Sequence, residues 1–137
     1  MASADARFAV SGINVGLFCS TPAVPLSRNM HRKQAMQMLL TGDFLDADTA
    51  LQFGLINRVC PPDQLVAETR KLAEKIASKS PLAIRMGKKM FYEQLPMNLE
   101  SAYRLAGGCM TCNMDSEDAR EGIDAFIEKR KPVWKGR

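Results

Sequence analysis

Five cations, Lys129, Arg130, Lys131, Lys135 and Arg137, fall in the last nine positions of the sequence, with Phe126 ahead of them and Trp134 among them. Cations beside aromatic rings suit an anion that has a flat apolar part. Phe126 can stack on a ring while Lys129, three residues on and so one helical turn away, meets phosphate oxygens. A nucleotide has both parts. The same residues also suit a plain helix end: Lys129, Arg130 and Lys131 complement the negative pole of a closing helix, and Pro132 stops it. Both readings stand on residue types alone.

Other chemistry is thinner. The pair Cys109 and Cys112 in CMTC is the only CxxC, and the sole histidine, His31, lies far from it. Zinc would need two more ligands, so small residues buried on a helix are the expectation, with no metal site. One histidine leaves no Ser/His/Asp arrangement, and the glycines form no dinucleotide or phosphate loop. Glu68, Glu74, Glu100 and Glu128 fall on polar helix faces, where solvation is the ordinary role. The methionines of MQMLL, with Met86 and Met90, suit core packing.

The elements that hold these residues read as follows. ARFAV (6–10) alternates as a short strand, and SGINVGLFCSTPAVP (11–25) is dense enough in Gly, Ser, Thr and Pro to be a loop. From Met30 onward helices dominate. HRKQAMQMLLTG places Ala35, Met36, Leu39 and Leu40 on one stripe and stops at Gly42. Asp46 caps a short helix that Gly54 ends, and LINRV extends beyond it. Leu65, Thr69, Leu72 and Ile76 share a face, and Ser80 with Pro81 opens a helix to about Tyr92. A helix carrying Leu99, Ala102, Tyr103 and Ala106 follows, interrupted by Gly107 and Gly108. Asp115 is the expected cap of the last one, with Glu117 and Asp118 at its positive end.

Composition bounds the rest. The chain has 137 residues, 46% hydrophobic and 25% charged, the balance of a globular protein able to bury a core without disulfides. Its four cysteines are expected as free thiols in a reducing, intracellular compartment. No stretch is apolar enough to suggest a membrane partner. The net charge of +4 permits an anionic partner, yet cations are spread among acids rather than massed, which argues against nucleic acid. Repeats and low-complexity linkers are absent, so composition marks no internal boundary.

In order along the chain, ADARFAVSGINVGLF, LLTGDFLDADTALQFGLINRV and EGIDAFIEKRKPVW resemble the second half of an enoyl-CoA hydratase/isomerase, the crotonase superfamily. GINVGLFCSTPAVPLSR is similar to its enoyl-CoA hydratase domain-containing branch. The resemblance implies an α/β crotonase-like fold, a spiral of ββα units. This chain would be its C-terminal portion, mostly α-helical with a few short strands. Residues 1–62 would belong to the spiral core and 63–137 to a helical assembly region of a homo-oligomer, trimer or hexamer. The implied partner is an acyl-CoA thioester, with coenzyme A part of the substrate and no separate cofactor. Phe126 and Lys129 match the aromatic and lysine that a neighbouring subunit presents to the adenosine and phosphate end of CoA. The oxyanion-hole amides and the first catalytic glutamate would precede ASADARF, so the chain is expected to be a fragment that holds no catalytic residue. Gly12 stands where the second catalytic glutamate would be. Losing one general acid/base costs on the order of 10² to 10⁴ in rate, so hydration is the doubtful step. A helical interaction module without catalysis is the alternative reading. The compartment would be the cytoplasm in a bacterium or the mitochondrial matrix in a eukaryote.

Overall fold

Seven α-helices and four strands of two residues each make up a computed structural model that describes residues 1–137. Contacts divide it into two units, residues 1–72 and 73–137.

In the first unit, β1 (Ala2–Ser3) pairs in parallel with β4 (Val59–Cys60), and β2 (Arg7–Phe8) pairs antiparallel with β3 (Leu45–Asp46). The expected strand over ARFAV is thus only Arg7–Phe8. The expected loop over 11–25 is a larger departure, because Ser11–Val15 forms a 3-10 turn and Ser20–Asn29 forms helix α1. Two prolines concealed it. Pro22 sits in the first turn, where its missing N–H takes no intrahelical bond, and only Pro25 removes one. Leu26 and Met30 offset that loss by joining Ala35, Met38 and Leu39 in the core.

Helix α2 (Arg32–Thr41) ends at Gly42, whose φ of 66° only glycine adopts freely. Its buried stripe differs from the expected one. Ala35, Met38 and Leu39 face inward, whereas Met36 and Leu40 are exposed. Helix α3 (Ala47–Gln52) starts where the Asp46 carboxylate accepts from the Thr49 amide at 2.7 Å. Gly54, at φ 77°, then turns the chain so that the Leu55 amide donates to Ala50 O. This stop delivers Val59–Cys60 to β1.

Helix α4 (Leu65–Ala77) carries the chain from the first unit into the second and buries no residue. Leu65 and Leu72 are half-buried, while Thr69 and Ile76 of the expected face are exposed. In the second unit, α5 (Pro81–Gln94) is capped by Ser80, whose hydroxyl accepts from the Ala83 amide at 3.1 Å. Helix α6 (Leu99–Met114) is capped by Asn98 and runs unbroken through Gly107 and Gly108. Neither α5 nor α6 buries a residue. Helix α7 (Glu117–Ile127) is capped by Ser116, not by Asp115, which instead closes α6. The Ser116 hydroxyl lies 3.0 Å from the Ala119 amide, the third residue on, as a cap requires.

Candidate functional site

The segment around Gly12 is shaped by close backbone approach. Leu17 N–H donates to Gly12 O at 3.0 Å, and Gly16 turns the chain at φ 78°. A Cβ added to Gly12 would lie 2.6 Å from Cys19 Sγ and 2.8 Å from Leu17 O. The thiol could rotate away, but the carbonyl belongs to the backbone. Position 12 therefore lacks a carboxylate and also lacks the room for one. The end of α2 closes the other side, since a Cβ at Gly42 would come within 2.8 Å of Asn14 Oδ1. Sequence alone could show the glycine but not this closure.

The tail of the second unit folds back on α7 through hydrogen bonds to acids of that helix. Asp118 is buried at 3% exposure, and its carboxylate accepts from Ser80 Oγ at 2.6 Å. It also accepts from the amides of Lys135 at 2.7 Å and Gly136 at 3.0 Å. The Ser80 hydroxyl, with those two amides, holds the Asp118 carboxyl below the usual carboxylate range. Glu121 receives both Nη atoms of Arg130, at 2.6 and 2.9 Å, and the Val133 amide at 2.7 Å. The Arg130 hydrogen bonds first, then the amide, lower the Glu121 carboxyl to about 2. Hydrogen bonds to Glu121 and then to Glu128 raise the guanidinium further above its ordinary value. Glu117 pairs with Lys135 at 3.1 Å and Arg137 at 3.2 Å, and the Lys135 hydrogen bond leads in lowering its carboxyl. Trp134 packs over Gly122 and donates from Nε1 to Ser78 O at 2.8 Å.

Most of the basic charge is therefore committed inside the unit. Arg130, Lys135 and Arg137 are ion-paired; Lys129 and Lys131 have no ion pair. The expectation that Lys129, Arg130 and Lys131 cover the end of a helix stopped by Pro132 is not met, because α7 ends at Ile127. Lys129 is instead the reversal point, at φ 56°, the one non-glycine residue with positive φ. Lys129 is thus not on the next helical turn after Phe126, although its amide still donates to Phe126 O at 3.3 Å.

Phe126 is 85% exposed, which excludes anchoring of α7 by its ring. It stands on the rim of an open groove of about 460 Å³ lined also by Ala83, Gly122, Ile123 and Trp134. The structure therefore leaves an uncovered ring on an open groove and, three residues on, a lysine without an ion pair. Glu121 was not singled out from sequence, and Trp134 was noted there without a structural role. Glu121 is nine residues from Arg130, and no helical spacing joins them until the reversal at Lys129 is known.

These features belong to a crotonase-type fold. Over its whole length, residues 1–137, the chain matches the family described as enoyl-CoA hydratase/isomerase, and it is a member of that family. It is 52% identical over 134 residues to the mouse enoyl-CoA hydratase domain-containing protein 3, mitochondrial, covering 98% of this chain and 45% of that one. The human protein of the same name is 48% identical, covering 98% and 44%. Among solved structures, an enoyl-CoA hydratase from Mycobacterium smegmatis superposes with a TM-score of 0.93 at 55% identity, covering 96% of this chain and 51% of that chain. The human domain-containing protein 3 gives 0.91 at 48%, covering 96% and 52%. The chain thus spans about half the length of the proteins it matches.

Proposed function

We propose that this chain is the CoA-facing C-terminal portion of an acyl-CoA-binding enoyl-CoA hydratase/isomerase-family protein. In this reading residues 1–62 complete a spiral core and residues 63–137 form a helical assembly region. Phe126 stacks on the adenine of the thioester's CoA moiety, and Lys129 meets its phosphate. The observation that carries this is the pairing pattern of the tail: three of its five cations are held by acids, while Lys129 is left unpaired three residues after an 85% exposed ring. A homo-oligomer, trimer or hexamer, would bring the two residues to a ligand held mainly by another subunit. The exposed apolar faces of α4, α5 and α6 suit such packing.

Gly12 directs the chemistry away from hydration by a pair of carboxylates. The catalytic groups would then come from the part of the family length that this chain does not span, and the residues here would bind and position. The four free thiols suit a reducing compartment, in keeping with the mitochondrial relatives.

The test is calorimetric titration of the family-length protein with CoA and with 3′-dephospho-CoA. Lys129→Ala should weaken CoA by about 5- to 30-fold, the equivalent of about 1–2 kcal/mol, and dephospho-CoA by less. Phe126→Ala should weaken both. Equal losses for the two ligands in Lys129→Ala would end the phosphate assignment.

A further inference from the structure

The chain leaves α7 by a full helix-closing turn. The Lys129 amide donates to Phe126 O at 3.3 Å and the Arg130 amide to Ala125 O at 2.9 Å, the pair of bonds that closes a helix when the residue after its cap is left-handed. Glycine is the usual occupant of that position, yet Lys129 stands there at φ 56°. A side chain persists in such backbone where the contacts around it over-determine the turn.

Glu121 supplies those contacts. Its carboxylate takes two nitrogens of Arg130, at 2.6 and 2.9 Å, and the Val133 amide at 2.7 Å. Arg130 directly follows Lys129, and Val133 directly precedes Trp134 of the groove wall. Glu128, on the other side of the lysine, receives Arg130 Nε. The guanidinium thus spans Lys129, joining Glu128 before it to Glu121 on the helix that carries Phe126. The backbone on both sides of Lys129 is thereby fixed relative to the helix that bears the exposed ring.

We propose that Glu121, acting through Arg130, is a positioning residue: it holds Lys129 in the left-handed turn from which its ammonium meets the phosphate of the ligand whose ring stacks on Phe126. This rests on the CoA reading of the tail. Charge alone makes the opposite forecast. Glu121 is an acid beside an anion site, so its removal would tighten CoA by relieving repulsion and by freeing Arg130 as a second cation. Positioning requires that CoA be held less tightly without it. The sign of the effect separates the two.

The experiment is calorimetric titration of the family-length protein with CoA and with 3′-dephospho-CoA, in Glu121→Gln, Arg130→Lys, Lys129→Ala and the double variant Glu121→Gln with Lys129→Ala. Glu121→Gln should weaken CoA by about 3- to 10-fold and leave dephospho-CoA nearly unchanged. Arg130→Lys keeps the charge but not the two-nitrogen fork, and should show the same selective loss. The double variant should bind CoA no more weakly than Lys129→Ala, because nothing is left to position. Circular dichroism checks that each variant is folded, and Arg130→Lys decides the matter where Glu121→Gln is not. Unchanged or tighter CoA binding in Glu121→Gln or Arg130→Lys, equal losses there for the two ligands, or losses that simply add in the double variant would each overturn the positioning role. A phosphate-selective loss in Lys129→Ala would then still keep the CoA reading. Equal losses for the two ligands in Lys129→Ala would remove both.

Discussion

Arg130 grips Glu121 with two nitrogens, Nη1 at 2.6 Å and Nη2 at 2.9 Å, and so returns the chain along α7 after the reversal at Lys129. Glu121→Gln keeps the shape and removes the charge that both nitrogens share. The melting temperature should fall, and backbone amide exchange at Val133 and Lys135 should quicken while exchange in α2 stays unchanged. Uniform quickening across the chain would show that the grip is not local.

Acid should loosen the same tail. The folded Glu121 carboxyl lies at about 2 against an ordinary 4.5, and Asp118 and Glu117 are also lowered. A depressed folded value means the folded state holds fewer protons, so the contribution is complete above about pH 4.5 and is lost as pH falls toward 2. Denaturant unfolding at stepped pH checks this. In Glu121→Gln the decline over that window should be shallower, and an identical slope would remove Glu121 from the account.

Ser80 serves two partners, accepting from the Ala83 amide and donating to Asp118. Ser80→Ala removes a helix cap, at about 1 kcal/mol, and strips a buried carboxylate of one donor. Urea unfolding should therefore show a loss of about 1–3 kcal/mol, larger than for Asn98→Ala, whose cap is exposed and serves one amide.

Placing a carboxylate at position 12 should fail. The added Cβ meets Leu17 O at 2.8 Å, so Gly12→Ala and Gly12→Glu each displace backbone, at about 1–3 kcal/mol. Crotonyl-CoA hydration by the 137-residue chain should stay below ordinary enzyme turnover, roughly 1 to 10³ per second, in the parent and in Gly12→Glu alike. Turnover in that range from Gly12→Glu would show that the segment opens readily.

Helices α5 and α6 expose Phe91, Tyr92, Leu99 and Tyr103. Such faces drive association, so light scattering should show masses above the monomer that rise with concentration. Leu99→Glu with Tyr103→Glu should shift the distribution toward monomer. A monomer at all concentrations in the parent chain would rule out these faces as contacts.

Several helix stops and caps carried by a single residue were legible in the sequence, although the last helix is capped by Ser116 rather than Asp115 and ends before Pro132. Asp46, Ser80, Gly42 and Gly54 act where their types put them, because a cap or a left-handed turn is decided within four residues. Order of motifs likewise gave the family. Helix α1 was hidden, since Pro22 and Pro25 argue locally for a loop and only burial of Leu26 against α2 decides otherwise. In the candidate site, Phe126 and Lys129 were visible by type. The roles of Trp134, Glu121 and Arg130 depend on a reversal that no periodicity announces.

If Lys129 meets the ligand as proposed, its left-handed backbone sets folding against recognition. A side chain there costs about 1–2 kcal/mol relative to glycine, and the stiffer unfolded chain returns only about 0.4–1 kcal/mol. Lys129→Gly should then be stability-neutral or better while discarding the unpaired ammonium. Directed evolution for heat resistance alone would drift toward glycine at this position, and selection on ligand retention would pull it back to lysine. Enrichment at codon 129 under the two regimes therefore reads out what the lysine is kept for.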